Sequence, residues 1–404
     1  MMAQQSVPGI EARELRDKCA IVGIGSTEFS RNSGRSALTL ATEASLAAIA
    51  DAGLKPNEID GIIRCTSDTV AYNALAASLG VDELNFWGET GPGGVAPCAM
   101  IGMAAGAILS GQARNVLLYR SLNGRSEVRF GAGQNRSGAQ VVGGLGSYDE
   151  FFLPYGLLTA GQMFALIAQR HMLQYGTTAE QLGALALLCR ENANDTPHAQ
   201  MHDRRMTLDD YLASRFIAKP LRLFDFCLET DGACAVVVTA ADRARDMPHH
   251  PVLVRAVGLG SPPDLRGGMM FPTLMRDDIT AMPGYTAGRR LWSQAGVGPA
   301  EIDVAQIYDC FTISLLLQLE AFGLCPRGEG GPFAASGALR RDGSLPINTA
   351  GGNMSEGYIH GMNHVVEAVR QLRHTAAVQV PGAELCLVTG GPLPVGSSAL
   401  LRRA

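Results

Sequence analysis

The chain has 404 residues, 47% of them hydrophobic and 18% charged, so it is too apolar for a disordered chain and long enough for one large or two medium domains. With 33 Lys and Arg against 38 Asp and Glu, a formal net charge of −5 and no basic cluster, it lacks the electrostatic footprint of a nucleic-acid-binding protein. Glycine stands out at 48 residues, often paired: Gly93-Gly94, Gly143-Gly144, Gly267-Gly268, Gly351-Gly352 and Gly390-Gly391. Paired glycines admit backbone or a ligand at close range.

In chain order, the tail (residues 1–17) is polar, with Glu11, Glu14 and Asp17, and has no apolar stretch of the kind that directs export. Residues 38–52 carry a helical pattern, Gly53 stands one step past its end as a cap, and Gly61-Ile62-Ile63 reads as a strand. Residues 91–113 carry no charge over a helix-spanning length. Pro92, Pro97 and six glycines spoil that stretch as a membrane helix, so it reads as a helix buried on all sides, followed by a strand over 116–119. Residues 124–222 differ in character: a Gly/Ser-rich stretch over 131–147, then helical patterns over 161–175 and 178–192. This reads as an insertion covering the first half's site, of the kind that forms lids and substrate loops. Residues 231–238 look like the last strand of a first half, and 252–257 like the first strand of a second.

The second half repeats the first. Ala295-Gly296-Val297-Gly298-Pro299-Ala300-Glu301-Ile302-Asp303 matches Ala52-Gly53-Leu54-Lys55-Pro56-Asn57-Glu58-Ile59-Asp60 in register, again after a helical pattern (288–295) and before a strand (304–307). Gly351-Gly352 then precedes a helix whose apolar positions Met362, Val365, Val366, Val369 and Leu372 keep helical spacing, with a strand over 385–388, just as Gly93-Gly94 precedes the uncharged helix. The expectation is an α/β protein of two pseudo-symmetric halves, 18–250 (with 124–222 inserted) and 251–404, each with a mostly parallel or mixed sheet. The nine cysteines (19, 65, 98, 189, 227, 234, 310, 325 and 386) show neither CxxC pairing nor regular spacing. They read as reduced core residues of a cytoplasmic protein, not as a disulfide frame or zinc site.

Three segments carry a resemblance over essentially the whole chain: Asp231-Gly232-Ala233, Ile307-Tyr308-Asp309-Cys310-Phe311-Thr312, and the run Asn348-Thr349-Ala350-Gly351-Gly352-Asn353-Met354-Ser355-Glu356-Gly357-Tyr358-Ile359-His360-Gly361. With the two halves and the buried helix, they resemble the thiolase superfamily, most closely its lipid-transfer-protein or sterol-carrier-protein-x branch. The resemblance implies a layered α-β-α-β-α fold. It also implies an active site with a nucleophilic cysteine at the start of the buried helix and two histidines. This sequence departs at all three places: the turn is Thr90-Gly91-Pro92-Gly93-Gly94-Val95, Tyr308 stands at the first histidine position and Tyr358 at the second. Cys98, about one turn further in, reads as a core cysteine and not as a displaced nucleophile. Acyl transfer needs a thiolate to carry the acyl group, so no acyl-enzyme is expected.

The same pattern resembles a small group of cysteine-less, thiolase-like aldolases that cleave steroid side chains. That resemblance implies retro-aldol cleavage of a β-hydroxyacyl-CoA with a tertiary hydroxyl, of the 17-hydroxy C22-CoA type from sterol or bile-acid side chains, to a ring ketone and propionyl-CoA or a similar short acyl-CoA. Tyr308 and Tyr358 are the candidates for the two proton transfers, and the one acting as base would need neighbours that lower its pKa. His360, His364 and Asp309 are candidates to orient or polarise the pair, and Asp309 has a helix-capping role open to it as well. Backbone N–H groups at Gly93, Gly94, Gly352, Asn353, Gly390 and Gly391 are candidates to stabilise the enolate oxygen. His360 and His364 lie one turn apart without a visible third ligand, so no metal is expected. No cofactor is expected beyond the CoA of the substrate. The family resemblance implies a separate small OB-fold, zinc-ribbon (DUF35-type) subunit and a homodimer that forms a heterotetramer with it, with neither nucleic acid nor membrane as partner. Arg125, Arg129 and Arg266 read as solvated surface charges. Two other readings stay open: a non-catalytic lipid or acyl-CoA carrier, and an acyltransferase using Cys98.

Overall fold

The computed structural model describes residues 15–91, 93–127, 151–262, 265–266 and 271–404. Residues 1–14 of the tail, Pro92, the Gly/Ser-rich stretch over 131–147 with Gly143-Gly144, Arg129 and Gly267-Gly268 lie outside the described residues. In chain order the strands are β1 (Cys19–Ser26), β2 (Gly61–Cys65), β3 (Phe86–Thr90), β4 (Asn115–Asn123), β5 (Phe216–Ala218), β6 (Leu221–Arg222), β7 (Asp231–Ala240), β8 (Val252–Gly260), β9 (Val304–Gln306), β10 (Leu385–Thr389) and β11 (Gly396–Arg403). The helices are α1 (Ala37–Asp51), α2 (Tyr72–Leu79), α3 (Ala96–Leu109), α4 (Ala160–Tyr175), α5 (Ala179–Asn194), α6 (Leu208–Ala213), α7 (Ala241–Ala244), α8 (Gly284–Ala295), α9 (Thr312–Ala321), α10 (Gly330–Ala335), α11 (Gly352–Ser355) and α12 (Met362–Arg373).

Nine of these strands form one sheet in the order β3-β2-β4-β7-β1-β8-β11-β10-β9, with β5 and β6 as a separate ribbon. The run β2-β4-β7-β1, parallel at its first pair and antiparallel after it, is repeated as β9-β10-β11-β8. The runs meet at a short antiparallel seam, Ala20 opposite Leu253 and Ile21 opposite Val252, so the two half-sheets are continuous. Period-two alternation then builds the layers. In β4, Leu117 and Tyr119 join α1 and α2 in an outer core, while Val116 and Leu118 join α3 and α12 in a central one. The outer face of the second half-sheet packs with α8, α9, α4 and α5. The result is the α-β-α-β-α layering, with α3 and α12 between the half-sheets. No helix among the described residues is long and apolar enough to cross a membrane.

The repeated motif owes its residues to three jobs done alike in each half. Gly53 and Gly296 end α1 and α8 in the left-handed conformation, both at φ +70°. Glu58 Oε2 accepts from Lys55 N at 2.8 Å and Glu301 Oε2 from Gly298 N at 2.6 Å, closing a short turn. Asp60 Oδ1 then accepts from Asn115 N at 2.9 Å, and Asp303 Oδ2 from Leu385 N at 2.8 Å, tying each strand to the start of its parallel neighbour.

Two expectations change. Gly351-Gly352 is not the counterpart of Gly93-Gly94: α11 and a turn intervene, and the residue entering α12 is Gly361, at φ +82°. The insertion, expected over the first half, packs α4 and α5 against α9 of the second, because their apolar faces (Met163, Phe164, Leu185, Cys189) complete that outer core.

Candidate active site

A cavity of about 1110 Å³ opens between the insertion and the loops at the ends of the strands. Among its lining are Gly93, Gly94, Tyr308, Tyr358, His360 and Gly391, with Cys227 and Cys310 beside them and Met163, Phe164, Phe226, Phe311 and Met354 supplying apolar wall. Asp309, His364, Gly352, Asn353 and Gly390 are not among the lining residues. Of the candidate residues, six therefore lie on the cavity wall and five do not.

Tyr308 follows β9, where the chain end is fixed by Asn348: Ile307 N donates to Asn348 Oδ1 at 2.7 Å and Asn348 Nδ2 donates back to Ile307 O at 2.9 Å. Tyr308 N donates to Thr389 Oγ1 at 2.9 Å, and Tyr358 N to Thr230 Oγ1 at 2.9 Å. These anchors bring the two hydroxyls to 3.0 Å of each other. The Tyr308 ring lies against Gly94, where a Cβ would overlap its Cζ and hydroxyl oxygen. The space in which a side chain at position 94 would stand is thus taken by the tyrosine ring itself. Burial, before any charge effect, pushes both phenols well above the usual tyrosine range near 10. The sequence asked for a lowered pKa in the base; the buried pair has the opposite, so both hydroxyls stay protonated at neutral pH.

Asp309 does not cap the helix that follows it. Its Oδ1 accepts from Asn353 N at 2.8 Å and from His364 Nε2 at 3.0 Å, and its Oδ2 from Met354 N at 3.3 Å, so the carboxylate caps α11 and holds α12. Gly352, at φ +60°, gives it room, since a Cβ there would overlap Oδ2. Five of the six enolate-donor assignments fall away on this geometry, leaving Gly94. The N–H of Asn353 is spent on Asp309. Gly352 lies behind the carboxylate. Gly390 N donates to Ser397 O at 2.7 Å and Gly391 N to Gly94 O at 2.7 Å. Gly93 N donates to Ser67 Oγ at 3.2 Å, though Gly93 and Gly94 do face the cavity.

Several lining residues had no sequence assignment. Cys227 and Cys310 sit opposite one another, Cys227 N donating to Cys310 O at 3.0 Å, and burial pushes the Cys310 thiol up to about 12. Arg31, Arg125, Arg190, Arg204 and Arg205 also line the cavity, with Glu229 paired to Arg125 at 3.4 Å. Arg125 is therefore a partly buried, paired residue of the cavity wall and not a solvated surface charge. Cys98 is fully buried in α3, its Sγ 3.6 Å from Val388 O, and burial pushes its thiol up to about 12. No group of three or more His, Cys, Asp or Glu suited to a metal occurs among the described residues.

Fold and site together define a thiolase-like enzyme without the thiolase nucleophile. Residues 272–401 match the family model described as Thiolase C-terminal domain-like. The chain is 44% identical over 378 residues to the 17-hydroxy-3-oxo-4-pregnene-20-carboxyl-CoA lyase of Mycobacterium tuberculosis, covering 93% of this chain and 97% of that protein. It is 45% identical over 379 residues to the steroid side-chain-cleaving aldolase of Thermomonospora curvata, covering 93% and 96%. The solved Ltp2-ChsH2(DUF35) aldolase superposes with a TM-score of 0.89 at 41% identity, over 96% of this chain and 98% of that one. The chain belongs to this aldolase family of the thiolase superfamily and is a carbon–carbon lyase.

Proposed function

We propose that the enzyme cleaves a steroid or bile-acid side-chain CoA thioester by a retro-aldol reaction, releasing a ring ketone and propionyl-CoA from a 17-hydroxy C22-CoA substrate. The observation that carries this reading is the pair of hydroxyls, Tyr308 and Tyr358, 3.0 Å apart on the cavity wall, with the Tyr308 ring against Gly94 in the turn where the thiolase resemblance would place a cysteine. A retro-aldol step moves one proton from the tertiary hydroxyl to the α-carbon and needs no covalent intermediate. One tyrosine oxygen takes the hydroxyl proton as the bond between the carbinol carbon and the α-carbon breaks. Its own proton passes to the second tyrosine, which gives a proton to the α-carbon of the thioester enolate. The three proton shifts run in concert with bond breaking, so the pair is restored with neither a free tyrosinate nor a doubly protonated phenol, and the thioester oxygen gains enolate character only as the bond breaks, in keeping with phenols whose pKa is raised.

The rest of the cavity suits such a substrate. The Met, Phe and Leu side chains offer apolar surface to a ring system. Arg31, Arg204 and Arg205 are exposed lining residues at the mouth, where the phosphates of CoA would find charge-assisted donors. Partner binding is proposed on similar grounds. Phe216, Ile217 and Leu223 are exposed apolar residues, the latter two lining the cavity, where a DUF35-type subunit with its own zinc would extend the channel. The edge strand β3, with Trp87 55% exposed, is the proposed face of a homodimer. The test is incubation of the purified protein, with and without the DUF35-type subunit, with a 17-hydroxy-20-carboxyl-CoA steroid. Release of the 17-ketone with propionyl-CoA is expected, and binding without turnover even with the subunit would leave a carrier instead.

A further inference from the structure

The proposed reaction builds enolate charge on the thioester oxygen, and of the candidate amides those of Gly93, Gly390, Gly391 and Asn353 are spent elsewhere, so Gly94 alone would meet it. Beside the tyrosines the structure holds a buried chain that ends at the cavity. Arg120 is fully buried in β4, a strand whose nine residues are all buried. Its Nη1 donates to Asp68 Oδ2 at 2.8 Å. Asp68 is locked in turn, its Oδ2 accepting from Ser121 N at 2.8 Å and its Oδ1 from Val70 N at 2.9 Å. The other side of the guanidinium, Nε at 3.2 Å and Nη2 at 2.9 Å, meets Nδ1 of His360.

A guanidinium has five donors and nothing to accept with, so Nδ1 must present a lone pair, and the proton of a neutral ring must sit on Nε2. A positive charge so close, inside a buried site, also opposes formation of the imidazolium; burial first and Arg120 second hold His360 well below the usual histidine range. The backbone of His360 is fixed in the left-handed region, at φ +52°, and its ring stands edge-on to Tyr358 with centroids 4.8 Å apart. The ring therefore reaches the cavity beside the tyrosine pair in one orientation and one tautomer.

We infer that Asp68 and Arg120 are positioning residues that hold His360 as a neutral Nε2–H donor for the enolate oxygen of the thioester. A neutral donor stabilises the enolate while leaving the α-carbon basic enough to be reprotonated, which a cationic donor would oppose by binding the enolate too well. The inference rests on the retro-aldol reading of the same site, and a test that needs no turnover separates the two.

Histidine labelled with ¹⁵N, with the His360 signals assigned by their loss in His360→Gln, reports the tautomer directly. At pH 7 the wild type is expected to show an unprotonated Nδ1 and a protonated Nε2, and Arg120→Met a mixture of tautomers. With the substrate and partner subunit of the cleavage assay, Arg120→Met is expected to lower kcat roughly 10- to 100-fold with little change in KM. Arg120→Lys, which keeps one donor, should recover part of that loss. Asp68→Asn, which keeps the volume and frees the guanidinium, should fall between wild type and Arg120→Met in both readouts. An Nδ1–H tautomer or an imidazolium in the wild type would overturn the inference, as would a folded Arg120→Met with unchanged kcat. A wild type with the expected tautomer and no cleavage of any steroid thioester would overturn the retro-aldol reading and, with it, the role assigned to the donor.

Discussion

The two central helices occupy equivalent places in the two halves, yet the chain entering each does opposite things. Before α3 the turn over Gly93–Val95 brings no side chain larger than valine, and the helix behind it is uncharged, with Cys98, Met100 and Ile101 buried in apolar surroundings. Before α12 the turn projects Tyr358 and His360 into the cavity, and the helix itself buries Asn363, His364 and Glu367 with hydrogen-bonded partners such as Glu356, Asp309 and Thr349. On the proposed mechanism the first half supplies room and the Asp68–Arg120 support, and the second supplies the reacting groups. The room is occupied from across the cavity, since the Tyr308 ring lies where a side chain at position 94 would point. The absence of a side chain at position 94 is therefore what gives the Tyr308 ring its place beside Tyr358.

That contrast is most exposed to substitutions in the half that carries the chemistry. Tyr308→Phe and Tyr358→Phe each remove one hydroxyl and keep the ring, so packing survives while the proton path is cut. A kcat loss on the order of 10³ is expected for either, read as ketone release by a protein with unchanged circular dichroism. A variant retaining a tenth of the wild-type rate would show that the pair is a structural contact. The next largest effect is on stability. Asp309→Ala leaves His364 and the N–H groups of Asn353 and Met354 without an acceptor inside a fully buried site, and about 3 kcal/mol should be lost in urea unfolding. Asp309→Asn keeps an acceptor oxygen and should lose less.

The sequence reveals the frame because the frame is local. The Pro-x-Glu-Ile-Asp motif repeats since each copy closes the same turn and ties the same strand pair, and the uncharged run is legible since a helix buried on all sides has no polar face to keep. The tyrosine pair is legible through the family pattern, as Tyr308 and Tyr358 stand at two histidine positions. What stays hidden depends on contacts between distant segments. Nothing near Gly390 or Gly391 says that their N–H groups are taken by Ser397 and Gly94, and the partners of Asp309 lie 44 and 55 residues away. Arg120 did leave a trace: a lone cation within Val116-Leu117-Leu118-Tyr119-Arg120-Ser121-Leu122 is costly in a strand buried on both faces unless it is paired.

The other half can be tested by filling its space. Gly94→Ala adds only a methyl group, but that methyl meets the Tyr308 ring head-on, and the backbone of Gly94 is held by Gly391 N at 2.7 Å. The ring is the part that must move, which pulls its hydroxyl away from Tyr358. A stability cost of about 1–3 kcal/mol is expected, with a fall in kcat far larger than any change in KM. Gly94→Cys, which restores the residue type of the thiolases, should do worse and should not gain acyl transfer, because neither histidine of that chemistry is present. Unimpaired cleavage by Gly94→Ala would mean that the ring has slack and that the space is not shaped for it.

The smallest effect belongs to Cys98, and its smallness is what the contrast requires. If the first half contributes support but no reacting group, its buried cysteine is packing alone: Sγ lies 3.6 Å from a carbonyl of β10, and a thiol pushed up to about 12 by burial carries almost no thiolate at neutral pH. Cys98→Ala should leave kcat and KM within twofold of wild type and cost about 1 kcal/mol of stability for the small void. Wild-type protein incubated with an acyl-CoA should show no added mass. A stoichiometric acyl adduct mapped to Cys98 would place a nucleophile one turn into α3, in the half to which the proposal gives no reacting group, whereas a clean spectrum together with a silent Cys98→Ala would favour the proposed tyrosines and their neighbours as the groups that act.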